Sequence, residues 1–73
     1  MKNKYTDIKL VFKNQERKIS DGGNKSNFVD AIIDALSIVT DEGIGINHAS
    51  LQYKLNDEFM TIPLRKISEK FIS

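Results

Sequence analysis

The sequence predicts an α+β fold: a four-stranded, mainly antiparallel sheet with one helix on one face, in order ββαββ, and a short C-terminal helix. Three observations carry this. The chain has one good helix candidate, Asn27 to about Thr40. A strand-turn-strand segment flanks it on each side, Ile8–Glu16 before and Leu51–Glu58 after, and both place an aromatic and a lysine ahead of an Asn-(Gln/Asp)-Glu turn. Leu64, Ile67 and Phe71 then recur at i, i+3 and i+7, the spacing of one helix face.

Each element has a local reason. Thr6, Ile8, Leu10 and Phe12 alternate with Asp7, Lys9, Val11 and Lys13, the period of a half-buried strand. A turn at Lys13–Glu16 leads to a short second strand, Arg17 to Ser20, with Ile19 inward. Asp21-Gly22-Gly23-Asn24 is the clearest breaker and must turn the chain toward the helix. Ser26 or Asn27 is placed to cap it, because a short side-chain oxygen accepts from the free amides of the first turn.

At 100° per residue, Phe28, Val29, Ile32, Ile33, Leu36 and Val39 share one face of that helix. Ala31, Ala35 and Ile38 extend it on one flank, and Asp30, Asp34, Ser37 and Asp41 form a narrow polar stripe. The apolar arc is wider than one sheet face requires. The C-terminal helix is the natural cover for the alanine flank, and a second copy is the alternative. Gly43 suits the helix end, since glycine tolerates the left-handed conformation there.

The third strand alternates Ala49, Leu51, Tyr53 and Leu55 with His48, Ser50, Gln52 and Lys54. After Asn56-Asp57-Glu58 a fourth runs from Phe59 to Leu64, with Met60, Ile62 and Leu64 on one side. Pro63 marks an edge strand or the start of the next element.

At 73 residues the chain, 1–73, is one domain with a small core, and small domains often add a disulfide, a metal or a second copy. With no cysteine and one histidine, His48, disulfides, thiolate sites and multi-histidine metal sites within one chain are excluded. A homodimer is therefore an expectation. The charged start and the lack of a long apolar run predict a soluble, cytoplasmic protein with no membrane partner. Ten Ile, nine Lys and six Asn, all with AT-rich codons, suggest a low-GC bacterium or its phages and mobile elements.

No catalytic or cofactor motif stands out, so the expectation is a non-enzyme with no cofactor, no metal and no catalytic residue. Asp30 and Asp34 lie one turn apart without a third ligand. Asp41–Asn47 holds two glycines, but after a helix rather than between a strand and a helix. His48 beside Ser50 lacks an orienting group. The stretch Gly23–Ala31 is loosely similar to a loop-to-helix stretch in the regulatory domain of isopropylmalate synthases. That family has proline where this chain has Ser26-Asn27-Phe28, and no residue role is carried across.

Charge is unevenly spread. Residues 1–20 carry a net +4, residues 21–47 a net −4 and residues 48–73 a net +1. Alternation puts Lys9, Val11, Lys13, Lys18, His48, Gln52, Lys54 and Phe59 on the outer sheet face, with Tyr5 at its margin. Of these, Lys9, Lys13, Lys18, Gln52, Lys54 and Phe59 are the candidate partner-binding residues; Ala31, Ala35 and Ile38 are the candidate oligomer contacts. Three functions follow: a small interaction protein that binds and regulates or inhibits a protein partner, a nucleic-acid binder using the basic sheet, or a ligand-sequestering oligomer.

Overall fold

In the computed structural model, which describes residues 3–71, the chain runs β1 (Tyr5–Phe12), β2 (Gln15–Gly23), α1 (Lys25–Asp41), a 3₁₀ turn (Ile46–His48), β3 (Ala49–Leu55), β4 (Glu58–Pro63) and α2 (Leu64–Phe71). The sheet is antiparallel throughout, in the order β2-β1-β3-β4. Both helices lie on one face, α1 mainly over β1 and β2, α2 over β3 and β4. This is the α+β architecture that the patterning predicts.

Both hairpins close with two-residue turns whose central residues have positive φ: Lys13 (48°) and Asn14 (61°), then Asn56 (52°) and Asp57 (70°). Such turns match the right-handed twist of their strands. Asn56 also ties down Lys4, just ahead of β1: its side-chain oxygen accepts from the Lys4 backbone amide at 2.9 Å while its backbone amide donates to the Lys4 carbonyl at 2.9 Å.

β1 departs from simple alternation. Its register against β3 slips between Thr6↔Lys54 and Lys9↔Gln52, so Asp7 and Ile8 together oppose Tyr53. Asp7 has φ of 50°, the mark of a bulge that re-aims the chain. In consequence Tyr5, not Thr6, joins Ile8, Leu10 and Phe12 on the buried side, and the expected margin position of Tyr5 is corrected. A second slip, between Ile8↔Ser20 and Lys9↔Lys18, makes Ile19 the extra residue of β2.

The second strand outruns its expected end at Ser20 and stays paired through Thr6↔Gly22 and Tyr5↔Gly23. Gly22 permits this: a Cβ there would stand 1.8 Å from the Tyr5 carbonyl oxygen. Helix α1 is then capped by Asn24, upstream of the expected Ser26 or Asn27. Asn24 Oδ1 accepts from the Asn27 amide and Asn27 Oδ1 accepts from the Asn24 amide, each at 3.0 Å. This reciprocal pair is an Asn-Asn version of the capping box. At the other end Gly43 (φ 68°) reverses the chain, with the Ile44 amide on the Val39 carbonyl at 2.8 Å and the Gly43 amide on that of Thr40 at 3.2 Å. Ile44 and Val39 are both buried beside this Schellman-type cap.

The core gathers around Phe28, fully buried on α1. Its ring stacks on Tyr5 of β1 (centroids 4.2 Å apart, 13° between planes), meets Tyr53 of β3 at 4.6 Å and receives Phe71 of α2 edge-on at 5.2 Å. Ile8, Leu10, Ile32, Leu51, Leu64 and Ile67 fill the remainder. Burial holds the Tyr53 hydroxyl above its ordinary pKa of 10.0.

The packing sets the expected cost of two kinds of substitution. Phe28→Ala is expected to cost about 3–5 kcal/mol, against the roughly 4–11 kcal/mol typical of a domain this long, and urea unfolding would measure it. Gly43→Ala, which meets nothing within 4 Å, should lose only about 1 kcal/mol to its positive φ. Gly22→Ala should lose substantially more in the same assay, because its methyl group collides with backbone.

Candidate partner-binding surfaces

Cross-strand partners share a face, so the register defines the outer surface of the sheet. It carries Thr6, Lys9 and Val11 from β1, Glu16 and Lys18 from β2, Gln52 and Lys54 from β3, and Phe59 and Thr61 from β4. Five of the six candidate residues, Lys9, Lys18, Gln52, Lys54 and Phe59, therefore come together on one surface. Lys13 does not lie on it: a two-residue turn leaves Lys13 at the tip of the first hairpin. His48 is likewise corrected, from strand to the 3₁₀ turn before β3, where it is exposed.

The lysines of this surface lie beside carboxylates. Lys9 Nζ is 3.3 Å from Glu16, Lys54 Nζ is 3.5 Å from Asp7, and Lys18 is ion-paired with Asp21. The Lys18–Asp21 hydrogen bond and charge attraction raise the lysine pKa and lower that of the carboxyl. The lysines of the outer face, Lys9, Lys18 and Lys54, are thus each met by an acid in place. Across the molecule, Arg17 reaches from the inner side of β2 to Glu42 at the end of α1, at 2.6 Å, with its guanidinium 5.9 Å from the Phe12 ring centre.

What remains distinctive is Phe59. It is 73% exposed, the most exposed large hydrophobic side chain among the described residues. Lys54, its cross-strand partner, holds its ammonium 4.9 Å from the ring centre while also reaching Asp7. The Asp7 bulge therefore acts on both faces, setting Tyr5 in the core and an acid beside the Lys54–Phe59 pair.

The helix flank follows the first of its two expectations, cover from within the chain rather than from a second copy. Ala31 and Ala35 are buried at 2% and 0% exposure, and Ile38 is half-buried against the same core. This flank is covered within the chain, because α1 packs against both the sheet and α2 and turns its alanines into that packing. The side chain turned out is instead Ile33, 48% exposed, which with Leu36, Ser37, Thr40 and Asp41 lines a shallow depression. A second depression, at the helix start, is lined by Lys25, Ser26, Val29 and Asp30.

Among the described residues no three His, Cys, Asp or Glu side chains converge as metal ligands, and no side chain in the core is polar or charged apart from the two tyrosines. No helix among them is long and apolar enough to cross a membrane. No protein-family model matches the chain, and no curated protein or solved structure matches it.

The Lys18–Asp21 pair makes a pH prediction. A carboxyl with a lowered pKa contributes its stabilisation above the ordinary value of 3.8 and loses it as pH falls through the lowered one. An NMR titration should find Asp21 titrating below 3.8 in the native chain and returning toward it in Lys18→Ala.

Proposed function

We propose that this chain is a small, non-catalytic interaction protein that docks a protein partner on its outer sheet face and regulates or inhibits it. The carrying observation is Phe59, an exposed aromatic on the edge strand, with Lys54 over its ring and the polar pair Gln52 and Thr61 next along the same face. A rigid aromatic anchor inside a polar rim is the usual anatomy of a protein-binding hot spot.

The charge pattern supports a protein over a nucleic acid. Phosphate binding draws its affinity from cations that release counterions. Here Lys9, Lys18 and Lys54 are each beside a carboxylate of the same chain, which opposes a second anion. A protein surface can meet such a balanced face with pairs of either sign. The composition, rich in Ile, Lys and Asn, supports a phage or mobile-element setting for such a regulator.

The test is affinity capture from the native host with the full chain as bait, with and without nuclease, alongside Phe59→Ser. Phe59 lies outside the core, so this variant should keep the native circular dichroism spectrum. The expected result is one nuclease-resistant protein retained by the native chain and lost by Phe59→Ser. Recovery that nuclease abolishes, or that Phe59→Ser leaves intact, would refute the reading.

A further inference from the structure

We propose that two copies of this chain join along β4, antiparallel about a two-fold axis at Thr61, into one eight-stranded sheet. The argument begins with the two edges that the strand order leaves open, β2 and β4. An open edge presents unpaired amides and carbonyls, and proteins that must stay apart defend it with bulges and charge.

β2 is defended in that way. Its register slips at Ile19, it carries Arg17 and Lys18 at its middle, and it ends in two glycines. Self-pairing there would bring Arg17 and Lys18 against their own copies. β4 has no slip and no charge at its middle; its one acid, Glu58, and its proline stand at its two ends. It pairs with β3 through six consecutive positions without a slip, and Phe59 to Ile62 carry no charge. Pro63 closes its far end, which leaves an open edge from Glu58 to Ile62.

Charge complementarity selects the occupant. Asp57 and Glu58 stand at one end of this edge; Arg65 and Lys66, at the start of α2, follow the other, and all four are exposed, with Arg65 also 3.9 Å from Glu69 in an open surface pair that a partner's acid would share. A two-fold antiparallel joint brings the acidic end of each copy to the basic end of the other, so the favourable contact occurs twice. Met60 and Ile62, half-buried on the inner side, would continue the core across the joint. Phe59, now at the rim, would stand within a continuous outer face. Phe59 lies in the paired segment, but its side chain projects from the outer face while the joint is made by the backbone edge, so chain mass reads the joint separately from partner capture.

Sedimentation and native mass spectrometry of the full chain test this directly. The native protein should show twice its 8.3 kDa chain mass. Thr61→Lys, an exposed site at the axis, should return it to the single-chain mass with an unchanged circular dichroism spectrum. Glu58→Lys or Arg65→Glu alone should weaken association about tenfold, because each change acts twice, and the two combined should restore it. A single-chain mass at millimolar protein would overturn the proposal. So would a Thr61→Lys dimer as tight as the native one, or a failure of the combined charge reversal to recover what either single change loses.

Discussion

The burial of one phenylalanine organises this molecule. Phe28 projects from the first turns of the helix into a space bounded by aromatic rings from β1, β3 and α2, so four elements meet at a single side chain. A chain of 73 residues has few such opportunities, because so much of it remains at the surface. Large rings are well suited to so small a core, since each removes much apolar area from water, and stacked or edge-on contacts add specificity of angle. Tyr5 reaches this cluster only because β1 bulges at Asp7. Without the extra residue, Thr6 rather than Tyr5 would share a face with Ile8, and the Phe28 ring would lose its closest stacking partner.

Electrostatics follows the same economy. Along the chain, charge is segregated into a positive first block and a negative middle block. In space the outer sheet face loses its excess of one sign, because hairpin pairing puts Glu16 beside Lys9 and the bulge sends Asp7 to Lys54, while the helix end offers Glu42 to Arg17 across the two blocks. These pairs lie at the surface, where each contributes little to stability. Their larger effect is on what the surface can recognise. A face that reads as basic in sequence becomes a balanced polar field around one exposed aromatic ring.

Much of this was legible beforehand. Period-two alternation identified the inward residues of β3 and β4, and helical periodicity identified α1 and α2, because burial on one side imposes those periods directly. The bulges at Asp7 and Ile19 were not legible. An extra residue inverts the phase of everything before it, and neither Asp nor Ile signals one; a glycine would have. The cap at Asn24 was missed because Asn24, Ser26 and Asn27 are all competent acceptors, and only the reciprocal Asn27 bond decides among them. The cover of the alanine flank was legible only as a need: an apolar arc too wide for one sheet face called for a second element, and the amphipathic C-terminal segment was the one at hand. The surface candidates fared similarly: alternation brought five together, while the hairpin tip claimed Lys13.

The strand order has a consequence for how the chain reaches this state. The seam between β1 and β3 joins segments separated by β2, α1 and the 3₁₀ turn, whereas β2 and β4 each pair with a neighbour across two residues. Both hairpins and the helix can form early from local contacts, but the Phe28 pocket lacks Tyr53 and Phe71 until the last third of the chain arrives. A chain that ends before β3 therefore holds Tyr5, Phe28 and Ile32 without their cover, and the β1–β3 pairing closes a longer loop than either hairpin. The central seam that gives the finished sheet its continuity is also the interval in which the unfinished protein is most open to association with other chains.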